Sequence, residues 1–190
     1  MNIIKYAPII PGTVLEKISM GNVTGIEFLD KIFYITDGIM LAQIKEISGI
    51  DGSTLQNWVK RRWIPNPKNK KYSKDTVARI LIVNMMRKSL SLEKIDFLLK
   101  YINGDLNCCD DDIIPESVLY GYICDIIERM MEIEDASGET LRGCIEKYTE
   151  KYEEKVTGAR RRLISALEII VVSYYSTMLQ LYCNELYEKL

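Results

Sequence analysis

Residues 158–190 set the strongest limit on how this 190-residue chain can fold. Leu163, Leu167, Ile170, Tyr174, Met178 and Leu181 recur at helical spacing and make one apolar stripe. Ile169, Val172, Tyr175, Leu179 and Cys183 make another side. A helix that is apolar on more than one side must be buried against several elements, or against another chain. Basic residues in "ARRR" precede a run of nearly membrane-spanning length, but Ser165, Glu168, Ser173, Thr177 and Gln180 interrupt it. The expectation is a packing or dimerising helix, with no membrane partner.

The rest of the chain also reads as helices. Thr13-Val-Leu-Glu16 and Thr24-Gly-Ile-Glu27 fit the capping box, so two short N-terminal helices are expected there. Leu41, Ile44 and Ile47 mark a short helix that stops at Gly49. Asp51 is then an N-cap, and Leu55, Trp58 and Val59 give the apolar side of the next helix. A turn of a few residues between two short helices is the helix-turn-helix arrangement. Pro65 and Pro67 stop the second helix, and a polar loop, residues 66–71, follows. Ser73 and Ser91 cap two further helices, and Asn103-Gly104-Asp105 closes the second of these. Three more helices are expected over residues 115–133, 138–154 and 158–190. The fold class is all-α. Three segments are expected: an N-terminal helical extension (1–36), a head (37–105) and a C-terminal helical module (106–190).

Charge is unevenly spread. Net charge is −2, yet residues 60–88 hold ten lysines and arginines and one acid, Asp75, a local charge of about +9. The remainder of the chain is correspondingly acidic. A basic segment on a helix-turn-helix is the electrostatic footprint of a nucleic-acid reader. The composition points away from catalysis. There is no histidine, which removes His-based nucleophile systems and His-ligated zinc, and no phosphate-binding glycine motif occurs. No enzyme activity, cofactor or metal is expected. "NCCDDD" places Cys108 beside Cys109, but adjacent cysteines rarely bind one ion together; an acidic helix start is expected, with a thiol or metal sensor as the alternative. Five cysteines and no export signal in "MNIIKYAPIIPG" point to reduced thiols in a cytoplasm.

The residues 41–102 resemble the reading head of MerR-type transcription regulators, a winged helix-turn-helix. "GIDGSTLQNWVKRRWIP" looks like that family's turn and recognition helix, with Thr54-Leu55 after the turn and a proline after the helix. "KKYSKDTVARILIVNMMRKSLSLEKIDFLL" is similar to its wing end and next two helices, with Tyr72-Ser73 at the tyrosine-serine cap. Gln56 and Asn57 stand where family members usually carry arginine and tyrosine, and Ser53 at an arginine position. The whole chain also resembles an uncharacterised bacterial family of unknown function with such a head.

With Leu55 and Val59 inward, Ser53, Gln56, Asn57 and Lys60 would project toward base edges, the amides suiting adenine. Lys68, Lys70 and Lys71 on the wing would meet phosphates. Thr54, Arg61, Arg62 and Tyr72 complete the candidate DNA-contacting set. Trp58 and Trp63 either stack on nucleic acid or plug the core, and Arg79 and Arg87 either touch phosphate or are solvated. The expected partners are double-stranded DNA and a second copy joined through residues 158–190. The alternative is an adaptor whose basic face meets an acidic protein.

Overall fold

The structure is a computed structural model that describes residues 9–23, 25–106, 111–133 and 137–190. Thr24, one of the expected capping residues, and the Cys108-Cys109 pair lie outside the described residues. The described chain is mostly helical, with one two-stranded sheet.

In chain order the elements are α1 (Gly25–Phe33), β1 (Ile39–Met40), α2 (Leu41–Ser48), α3 (Gly52–Lys60) and β2 (Lys71–Tyr72). Then follow α4 (Lys74–Met86), α5 (Leu92–Asn103), α6 (Glu116–Glu132), α7 (Gly138–Tyr148) and α8 (Ala159–Tyr187). β1 and β2 run antiparallel, with Ile39 opposite Tyr72 and Met40 opposite Lys71.

α4 is the centre. Thr76 to Val83 are all buried, as are Met85 and Met86, so this helix has no solvent side to speak of. α6 packs on α4 and α1, and α8 packs on α4, α5, α6 and α7. One apolar cluster runs from Ile10 through Leu55, Leu81 and Ile123 to Tyr174. The three expected segments therefore share a core. Leu163, Leu167, Ile170 and Tyr174 of α8 lie in it, while Met178 is half-buried and Leu181 exposed. The other side of α8, at Ile169, Val172 and Leu179, is exposed. α8 is also long and apolar enough to cross a membrane, with half of its 18-residue window buried in the body.

The N-terminal segment departs from expectation. Residues 13–16 do not start a helix. The Thr13 hydroxyl accepts from Leu15 N–H at 3.0 Å and donates to Ile10 O at 2.8 Å, which makes a turn of the supposed cap. Only a short 3-10 turn, Ile18–Met20, follows. The reason is packing: this strap lies flat on the molecule. Val14 N–H donates to Ile47 O at 2.9 Å, and Tyr120 of α6 donates to Pro11 O at 2.8 Å. A Cβ on Gly12 would sit 2.3 Å from Leu81 O, so only glycine lets the strap approach α4. α7 is also shorter than expected. It ends at Tyr148, and Tyr152 beyond it donates to Ile113 O at 2.8 Å.

Candidate nucleic-acid interface

α2 ends at Gly49, whose φ of 68° is the left-handed conformation that reverses the chain. Asp51 then starts α3. Its carboxylate accepts from Thr54 N–H at 2.8 Å and from the Thr54 hydroxyl at 2.7 Å. The Ser53 hydroxyl donates to it as well. These bonds, Ser53 foremost, hold the Asp51 carboxyl well below the usual carboxylate range. Ser53 and Thr54 thus spend their hydroxyls on the cap, not on an outward task.

Leu55 and Trp58 are buried beneath α3, each 1% exposed. Of the two readings for Trp58, the structure gives the core plug, and Arg87 lies over its ring at 5.8 Å. Trp63 is half-buried, with Arg61 5.1 Å from its ring centre. Burying Leu55 and Trp58 leaves Gln56, Asn57 and Lys60 on the opposite, exposed side. None of these three side chains bonds another described residue.

The segment expected to be a polar loop is partly a tight hairpin. Lys68 N–H donates to Lys71 O and Lys71 N–H to Lys68 O, both at 2.9 Å. Asn69 and Lys70 between them have φ of 50° and 62°, the two positive values that a two-residue turn of this type needs. Lys68, Lys70 and Lys71 are exposed, and β2 anchors the hairpin to the strand before α2. Tyr72 is a correction: it is 5% exposed and packs inward, because the strand alternation that turns Lys71 out turns Tyr72 in.

Two of the ten basic residues are used internally. Lys74 pairs with Asp30, and Arg79 pairs with Glu116. Arg79 is therefore neither a phosphate contact nor solvated; it is 2% exposed, and its Nε donates to Trp63 O at 2.7 Å. The other eight, Lys60, Arg61, Arg62, Lys68, Lys70, Lys71, Arg87 and Lys88, are exposed. Arg87 also donates from Nε to Asn84 Oδ1 at 2.7 Å.

One support of the α2–α3 turn was not foreseen. Asn84 of α4 donates from Nδ2 to both Ser48 O and Gly12 O, each at 2.9 Å. It fastens the turn between α2 and α3 to the strap and to the central helix. The signal was an amide within the apolar run "ILIVNMM".

The described residues thus form an all-α protein that presents an amide-bearing helix and a lysine hairpin beside each other in sequence order. The chain belongs to the DUF1836 family, a domain of unknown function that matches residues 26–123, more than half of its length. That match starts in α1 and runs into α6, through the connection where the head was expected to end. No curated protein and no solved structure matches the chain.

Proposed function

We propose that the protein is a sequence-specific DNA-binding transcription regulator of MerR-like type. In this reading α2 and α3 are a helix-turn-helix and the hairpin at residues 68–71 is its wing. The observation that carries it is the α3 surface: Gln56, Asn57 and Lys60 are exposed and unengaged on a helix whose other side is locked by Leu55 and Trp58. Polar side chains that bond no other described residue are available to base edges. The hairpin lysines supply phosphate contacts on a braced turn, so their positions are held by backbone bonds.

The regulator acts as a homodimer through residues 158–190. Ile169, Val172, Leu179, Cys183 and Leu186 are exposed along α8 at steps of three, four or seven residues. That spacing is the seam of a helix pair, which fits a second copy of the same helix. It also accounts for the apolar length of α8 without a membrane.

A titration of the full chain with labelled random duplex DNA, followed by anisotropy at low salt, tests the reading. Binding that weakens steeply with salt is expected. Failure to bind any duplex at low salt overturns it and leaves the basic face to an acidic protein partner.

A further inference from the structure

A cavity of about 690 Å³ lies between the hairpin, the start of α4 and the start of α6. Its volume is in the range of small-molecule sites. Arg79 lines it, buried from solvent. Two of its nitrogens are engaged: Nε with Trp63 O, Nη1 with Glu116. Nη2 is buried and has no partner among the described residues. A guanidinium N–H buried without an acceptor is rare in a native fold and calls for one.

The remaining charges narrow what that acceptor can belong to. Lys68 and Lys71 are the other two cations among the described residues of the lining. Against these three stand five carboxyl residues among the described lining, Asp37, Asp75, Asp105, Asp112 and Glu116, of which Asp105 and Asp112 have interactions of their own. The excess is negative, so a purely anionic ligand such as phosphate would meet repulsion. A purely cationic ligand, such as a polyamine, would bring no acceptor to Arg79. Burial raises the Glu116 carboxyl, against the lowering pull of Arg79, and the neighbouring Asp75 and Asp112 raise it further.

We propose that this cavity binds a small zwitterion of the amino-acid class, with its carboxylate received by Arg79 and its ammonium by the acidic wall. The binding does not depend on the DNA-binding reading. Its regulatory consequence does: the hairpin and the start of α6 both line the cavity, so an occupant would tie the proposed wing to the C-terminal helices.

The test is calorimetry on the full chain without DNA, using the common L-amino acids singly, with propionate and propylamine as half-ligands. Saturable binding of at least one amino acid below about 1 mM is expected, with both half-ligands at least about tenfold weaker. Amide NMR shifts on the wild-type chain should fall on residues 73–79 and 111–117. Arg79→Lys should weaken binding about tenfold or more if it folds. If it does not fold, the NMR map on the wild type decides. No binding of any amino acid at about 10 mM, shifts that map elsewhere, or propylamine binding as tightly as the amino acid each overturn the proposal.

Discussion

Two exposed faces of this molecule differ in what they leave unmet. On α3 and the hairpin the exposed groups are amides and cations: Gln56, Asn57, Lys60, Lys68, Lys70 and Lys71. Water satisfies all of them, so this face is stable alone and gains only from a partner with matched charge or hydrogen bonds. On α5 and α8 the exposed groups are apolar. Phe97 is 72% exposed, and Ile169 and Val172 are 47% and 56% exposed. Leu90 of the α4–α5 turn lies between them, along a groove that Phe97, Tyr101 and Ile169 also line. Water does not satisfy such area, and covering it is favourable by about 25 cal/mol per Å². In the proposed reading the first face meets a charged partner and the second an apolar one, so salt should separate them.

That separation is the largest effect expected. If six of the eight exposed cations meet phosphates, raising salt from about 50 to 200 mM should cut DNA affinity on the order of a thousandfold. Self-association should hold or strengthen over the same range. Anisotropy and light scattering on one sample read both. A DNA affinity that ignores salt would remove the distinction between the faces.

The next effect breaks the apolar face alone. Ile169→Asp with Val172→Asp should return the 21.9 kDa monomer, with helical circular dichroism unchanged because both side chains are exposed. Loss of the second reading helix should weaken binding to a preferred site by about a hundredfold. A variant that remains a dimer would place the interface elsewhere.

The sequence was informative where local rules decide. The helices from Leu41 to Asn103 lie where capping and apolar spacing put them, because Gly49, Asp51, Ser73 and Ser91 act within four residues of what they cap. The outward side of α3 was read with Leu55 and Val59 inward; the structure buries Leu55 and Trp58 and half-buries Val59, which leaves Gln56, Asn57 and Lys60 outward all the same. The misses are long-range. Thr13 has a capping-box neighbour, but the strap is flattened onto α4 and α6 through Gly12 and Tyr120, contacts of 72 and 109 residues' separation that no local pattern carries. Arg79 sat in a basic run and looked like its neighbours. Only the fold brings Glu116, 37 residues on, against it. Tyr72 was read from a family position, whereas pairing with Ile39 fixes the way it faces.

Within the basic face, reading and holding should also part. Asn57→Ala should cost about 1–3 kcal/mol on the preferred site and little on random DNA, since only base edges carry sequence. Lys70→Ala should weaken both DNAs alike and lower the salt slope by about one, because in the proposed reading a hairpin lysine meets phosphate. Salt titrations of both variants on both DNAs measure this. Equal weakening of both DNAs by Asn57→Ala would mean that α3 is not the reader.

The smallest effect concerns the cap that starts α3, and it appears only in acid. The Asp51 carboxyl lies below its ordinary range in the folded chain, chiefly through the Ser53 hydroxyl and then Thr54. A depressed folded value means that the ionised form stabilises the fold. That contribution is complete above the unfolded carboxylate value of about 3.9 and is lost as pH falls from there toward the folded value. Asp51→Asn keeps a side-chain oxygen for Thr54 N–H but has no charge to lose. Its urea midpoint should therefore fall less steeply than the wild type's below about pH 4, while the two run parallel at neutral pH. The α5–α8 face, with no part in this cap, should dimerise equally in both proteins. Unfolding curves that remain parallel through the acid range would show that Asp51 is not held ionised by its hydroxyl partners.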